Sequence, residues 1–305
     1  MPISIFWKGW INLIKKILFL PIQVTAILAG FVFLMNIPIF LQINAEEKRI
    51  DMDLSLYWEY SKSNLSWFLH IKDEVPFIFE YLNASTIDKY YYTMSILSLA
   101  LLSVILIGMV VSAAIMMLPA NVRKRLKGLI DFTTTAPELL IIFLLQYLVI
   151  YIYKTYGIKL FQLYGGMSTQ PYFLPVFVVS FLPALFLIQY LLKVFADEEV
   201  KDYVLLARAK GLSRGTIYFK HIMRNVIPLL LIHLKVIIWY ILTNIIVVEY
   251  LFNIDGYIVI VKSFYAKRIV PYIISLLLFA VPVILSQLLA WIVTIRMNRK
   301  EQNSL

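Results

Sequence analysis

The chain alternates long uncharged apolar runs with short polar segments, and the runs have the length of membrane spans. Ile17 to Ala45 carries no charge, nor do Tyr90 to Val122, Leu160 to Leu192 and Ile269 to Ile295. Two further runs hold one formally charged residue each: Phe132 to Tyr153 contains Glu138, and Pro228 to Val248 contains Lys235. A helix rises about 1.5 Å per residue, so about 20 such residues cross a hydrocarbon layer of about 30 Å. The pattern predicts an all-α polytopic membrane protein with six transmembrane helices. They lie at 17–45, from Tyr90, at about 132–153, from about Pro171, at about 228–248 and at 269–295. Lys8, Lys15 and Lys16 precede the first run as they would in a signal peptide. That run is too long for one, and no small-x-small cleavage pattern comes after it, so it is expected to be retained. Pro183 and Pro282 fall inside spans, where neighbouring helices tolerate a kink.

The polar segments predict sidedness. With the amino terminus inside, the inner segments hold 17 Lys and Arg residues and the outer ones 10, in the sense that cytoplasmic loops favour. Arg123-Lys-Arg125-x-Lys127 is the tightest inner cluster. Both termini (1–16 and 297–305) and the loop 197–227 are therefore expected in the cytoplasm. Residues 46–89 form the one sizeable outer segment. It carries acids, bases and the aromatics Tyr57, Trp58, Tyr60, Trp67 and Phe68, and is expected to fold as short helices.

Composition fits this picture. Apolar residues make up 61% of the chain and charged residues 15%, with a mean hydropathy of +0.82, which excludes an ordinary soluble domain. The net charge of +10 would suit nucleic acid in a soluble protein. Here its location at span ends points to the bilayer instead, and no nucleic-acid partner is expected. There is no cysteine, so disulfides and thiolate metal sites are excluded. The chain has no Gly-x-x-x-x-Gly-Lys-Ser/Thr and no His-Glu-x-x-His. No catalytic residue, no metal site and no cofactor is predicted for it, and it does not itself hydrolyse ATP.

One polar island is organised rather than loose. Val200, Tyr203, Val204 and Ala207 recur at helical spacing, as do Phe219, Ile222, Met223 and Val226. Gly211 separates the two sets and Pro228 suits the first turn of the next span. Two short amphipathic helices joined by a glycine turn are predicted. Ala207-Arg-Ala-Lys-Gly-Leu-Ser213, with Tyr203, His221, Arg224, Asn225 and Pro228, resembles the cytoplasmic coupling loop of ABC importer permeases, most closely the dipeptide/oligopeptide/nickel group. Ile246-Val-Val-Glu-Tyr-Leu-Phe-Asn-Ile-Asp-Gly256, Asp131, Ala136-Pro137 and Tyr92-Thr93 extend the likeness over about residues 90–296. Leu205 stands where many such permeases carry a glutamate, and the Pro-Gly-Asp-Pro usual after span one is missing; Ile43-Asn-Ala-Glu46 stands nearby.

The resemblance implies a permease core at 90–296 in a bacterial cytoplasmic membrane. It implies that Tyr203, Ala207, Arg208, Ala209, Lys210, Gly211, Leu212, Ser213, His221, Arg224, Asn225 and Pro228 dock an ATPase. The implied partners are a second permease subunit (a heterodimer), two cytoplasmic ATPases that hold ATP and magnesium, and an extracytoplasmic substrate-binding protein. Di- or oligopeptides are the first expected cargo; nickel or a metal chelate is second. A permease-like sensor or scaffold that moves nothing is the alternative from another class, and a secondary transporter a third. The bland reading of the loop is a basic surface helix held to anionic lipid at about 1 kcal/mol per cation. Lys235 either faces a wet path or snorkels to the inner surface, and His233 is expected to be an interface histidine. Glu138 is a helix amino-terminal carboxylate or a contact with the path or partner. Glu249 makes a structural hydrogen bond or touches substrate. Tyr147, Tyr151, Tyr153 and Tyr156 suit an interfacial belt.

Overall fold

Wherever a long run lacks charge and proline, the chain is one uninterrupted helix. The computed structural model describes residues 19, 22–23, 25–44, 49–70, 72–73, 75–76, 82–157, 170–265 and 269–302. The expected amino-terminal segment 1–16 and residues 303–305 of the tail lie outside them. The chain divides into two compact units. The first comprises Met1–Asn83 and Lys262–Ser275, the second Ala84–Val261 and Leu276–Leu305.

In the first unit, helix α1 (Thr25–Phe40) leads into a two-stranded antiparallel hairpin, β1 (Leu41–Asn44) and β2 (Arg49–Met52), with Leu41 opposite Met52 and Asn44 opposite Arg49. Helix α2 (Leu54–Leu69) comes next, capped by Asp53, whose carboxylate accepts the Leu56 N–H at 2.9 Å. Among its described residues, the outer segment expected to fold as short helices holds strand β2, the 16-residue helix α2 and further helical residues at 72–73 and 75–76. The run from Ile17 to Ala45 breaks at Asn36, where Pro38 lacks the N–H to continue the helix, and its last helical turn, Ile37–Phe40, passes into β1. At the turn before Pro38, Asn36 is buried. Its amide donates to Ser61 Oγ and its carbonyl accepts from Asn64 Nδ2, both at 3.1 Å, and the Tyr57 hydroxyl donates to the Phe33 carbonyl. Val32 and Val270 centre a small core with Leu65, Trp67 and Tyr272.

The second unit holds helices α3 (Ala84–Met117), α4 (Ala120–Thr135), α5 (Glu138–Tyr156), α6 (Phe173–Glu199), α7 (Asp202–Ala209) and α8 (Arg214–Leu251). Helix α9 (Tyr257–Tyr265) is next, and α10 (Ile269–Gln302) ends the described chain. Among the described residues five helices are long and apolar enough to cross a membrane: α3, α5, α6, α8 and the Val270–Arg296 stretch of α10. Helix α1 is apolar but shorter. Span boundaries move where prolines dictate. The run from Tyr90 begins at Ala84 and stops at Met117, before Pro119. The run from Phe132 splits at Ala136-Pro137 into surface helix α4 and span α5.

The core of the second unit is the α3–α6 seam. Ile96, Ala100, Val104 and Ser112 step along one buried face of α3 at four-residue intervals, and Val179, Leu187, Leu191 and Phe195 are buried on α6, which packs against it. Gly108 completes that stripe: a Cβ there would lie 2.6 Å from Leu187 Cδ2, so the missing side chain lets the helices close. Ile237, Ile241 and Ile245 of α8 are buried as well.

Candidate functional site

The polar island folds as a stop, a turn and a restart. Helix α7 ends at Ala209, and Gly211 takes φ +74°, the left-handed conformation that an L side chain resists. The Gly211 N–H donates to the Arg208 carbonyl at 2.9 Å and the Leu212 N–H to the Ala207 carbonyl at 3.3 Å. This pair of bonds satisfies carbonyls that a helix end would otherwise leave open. Ser213 then caps the restart, its Oγ accepting the Thr216 N–H at 3.3 Å.

The restart does not produce a second short helix. From Arg214 the chain runs continuously into span α8, through a π-helical segment at Ile217–Ile222. Pro228 therefore lies inside that helix rather than at its start. Its missing N–H falls opposite the Arg224 carbonyl, a defect that helices in membranes accommodate. The buried faces also differ slightly from the periodicity. Val204, Ala207, Ile222 and Val226 are buried, but Val200 and Phe219 are exposed. Val200 falls in the turn between α6 and α7, where the helical phase is lost.

Two adjacent carboxylates at the end of α6 hold the junction together. Glu198 is only 3% exposed and accepts from Lys201 Nζ and the Tyr203 hydroxyl, each at 2.5 Å, and from Asn225 Nδ2 at 3.5 Å. Burial and the bond to Glu198 push the Tyr203 phenol up to about 12, so it remains a donor throughout the physiological range. Glu199 accepts from Arg123 Nη1 of α4 at 3.2 Å, from Arg208 Nη2 of α7 at 3.3 Å, and from the Tyr218 hydroxyl in the π segment. Sequence reasoning missed this pair as a site. The signal available was two acids directly ahead of a basic amphipathic stretch.

Behind these ties the loop turns a ridge outward. Leu205 is 50% and Leu206 58% exposed, and Arg208, Ala209, Lys210, Gly211, Leu212 and Ser213 are exposed with them. Tyr203 and His221 are half-buried, Arg224 and Asn225 exposed, and Ala207 packs inward. The coupling-loop residues singled out from the sequence thus share the α7–α8 junction. Gln189 Nε2, donating to Asp131 Oδ1 at 2.8 Å and Thr134 Oγ1 at 2.7 Å, fixes the other end of α4 to α6.

Glu138, Lys235 and Glu249 do not gather into one site. Glu138 opens α5 behind Pro137, with a buried Oε1 that has no partner among the described residues. Lys235 is exposed on α8, while the His233 ring stacks on Tyr190 with centroids 3.8 Å apart. Glu249, 3% exposed, accepts from Thr93 Oγ1 at 2.5 Å and from the Ile258 N–H at 3.0 Å; Thr93 Oγ1 in turn accepts the Tyr257 N–H at 2.9 Å. That carboxyl is turned into its own chain, which favours the structural reading.

Comparison with known proteins supplies the context for this geometry. Residues 104–300 match the family described as binding-protein-dependent transport system inner membrane component. Over 107 residues the chain is 29% identical to the dipeptide transport system permease protein DppB of Lactococcus lactis subsp. cremoris (strain MG1363). That stretch covers 35% of this chain and 35% of the relative. The long apolar helices, the glycine-turned junction and the family match over most of the chain lead to one conclusion: this chain belongs to the binding-protein-dependent transport system inner membrane components, the multi-pass permease subunits of ABC importers in the cytoplasmic membrane.

Proposed function

We propose that this chain forms half of the translocation path of a peptide importer, and that its α7–α8 junction is where an ATPase subunit docks. The observation that carries the reading is the exposed ridge from Leu205 to Ser213. It projects from a left-handed Gly211 turn and is braced from behind by Glu198 and Glu199. A ridge so fixed can be pushed without collapsing. It joins the ends of α6 and α8, so force on it reaches two spans at once. Rocking of paired subunits is a recognised route by which such force alternates access. The partners are a second permease subunit, two cytoplasmic ATPases that bind ATP and magnesium, and an extracytoplasmic binding protein. The junction faces the cytoplasm, as the Lys and Arg distribution favours. Dipeptides or short oligopeptides are the cargo, a choice supported by the relative named as a dipeptide permease.

Leu205 refines the docking. Where a glutamate would offer a charge, this ridge offers Leu205 and Leu206, so the recess that receives it is apolar at that point. The decisive variant is Gly211→Pro, because proline fixes φ near −65° where +74° is needed. In proteoliposomes with the ATPases and binding protein, the variant chain inserts normally, but dipeptide no longer stimulates ATP hydrolysis. Normal uptake by that variant refutes the docking assignment.

A further inference from the structure

We infer that Glu199 is a positioning residue that locks surface helix α4 to the loop, so that a push on the loop moves span α5 together with α6 and α8. The inference rests on the docking assignment above for its consequence in transport, though not for its geometry. Glu199 divides its two oxygens between two duties. Oε1 accepts from Arg208 and Tyr218, which lie on either side of the Gly211 turn, and so closes the loop on itself. Oε2 accepts from Arg123, near the start of α4, at 3.2 Å. Further along α4, Asp131 and Thr134 are held by Gln189 of α6.

Arg123 meets Glu199 while Asp131 meets Gln189, so α4 runs antiparallel along the last turns of α6 and is tied at both ends. One residue pair, Ala136-Pro137, then separates α4 from span α5. A helix pinned twice moves as a strut with its neighbour. The Arg123–Glu199 tie is the one that includes the loop. Both side chains are partly sheltered, 29% and 20% exposed, which strengthens a charge-assisted bond relative to one in open water. Sequence spacing gave no sign of this, because Arg123 lies 76 residues from its acceptor.

The natural absence of cysteine makes the test direct. Lys127→Cys on α4 and Lys220→Cys on the π segment place spin labels at two exposed positions that make none of these ties. In the reconstituted complex, the distance between the labels is narrow and unchanged when ATP is added. With Arg123→Gln or Glu199→Gln added, it broadens and shifts with ATP, and Arg123→Lys restores most of the narrow signal. In a double-mutant cycle on the ratio of dipeptide-stimulated to basal ATPase turnover, each single variant lowers the ratio roughly fivefold or more, and the double variant falls no further. ATPase co-purification stays unchanged in Arg123→Gln.

A label distance that already shifts with ATP in the unsubstituted background overturns the inference, as do additive effects in the cycle. Failure of the ATPases to co-purify with the unsubstituted chain would instead remove the docking assignment and leave the clamp to be judged by the label distances alone.

Discussion

The Glu249 carboxyl satisfies donors from two separated stretches of chain, the Thr93 hydroxyl and the Ile258 N–H, and Thr93 passes the arrangement on to the Tyr257 N–H. A buried donor left unpaired costs about 1–3 kcal/mol. Glu249→Ala strands two of them and destabilises the chain by roughly 3 kcal/mol. A lowered unfolding temperature in detergent checks this, and the peptide concentration for half-maximal uptake by the protein that survives should not change. A selective loss of peptide affinity at unchanged stability would mean the carboxyl touches cargo. At this scale the sequence was legible where backbone chemistry decides. Gly211 announced a turn because few other residues accept a positive φ, whereas the capping role of Ser213 came only with the structure. The roles of Glu198 and Glu199 were not legible, and the structural hydrogen bond of Glu249 was one of two readings the sequence left open. Glu199 and Glu249 take partners brought close when helices pack, while Glu198 takes Lys201 and Tyr203 from the next turns of chain and Asn225 from α8.

Among the elements, the six apolar runs were readable from charge alone, and their ends were not. Pro119 and Pro137 cut α4 out as a separate helix from what read as span ends and loop, since the residue before each proline leaves the helical region. Pro228 looked like the first turn of a span, where proline is favoured, and is not: α8 carries it in its interior, downstream of the π segment. The hairpin β1–β2 was missed because four-residue strands leave too short a pattern beside a long apolar run. Helix α1 is bound to α2 through the buried Asn36, which bonds both Ser61 and Asn64 at the turn before Pro38. Asn36→Ala removes both bonds and leaves Ser61, itself fully buried, without that partner. The expected cost is about 1–3 kcal/mol. Limited proteolysis of the first unit should show it as faster cleavage within α2, with cleavage of the second unit unaltered. Equal acceleration in both units would contradict a local role for Asn36.

For the whole molecule, sidedness governs whether the proposed function is possible, since a docking ridge works only where ATP is. The two ends of the second unit differ in chemistry. One carries the Glu198–Glu199 junction with its arginines and lysines. The other is closed by Tyr92 donating to the Pro171 carbonyl and by the Lys89–Asp255 ion pair at 2.5 Å. An excess of cations at one end is the feature by which bilayer insertion fixes orientation. Lys210→Cys and Asp88→Cys, made separately in the cysteine-free chain, place single thiols at exposed positions on the two ends. In intact cells a membrane-impermeant maleimide should label the thiol at position 88 and spare the one at 210; after permeabilisation both should react. Labelling at 210 from outside would put the ridge out of reach of any ATPase. The clamp at Glu199 would then be a structural brace with nothing to transmit.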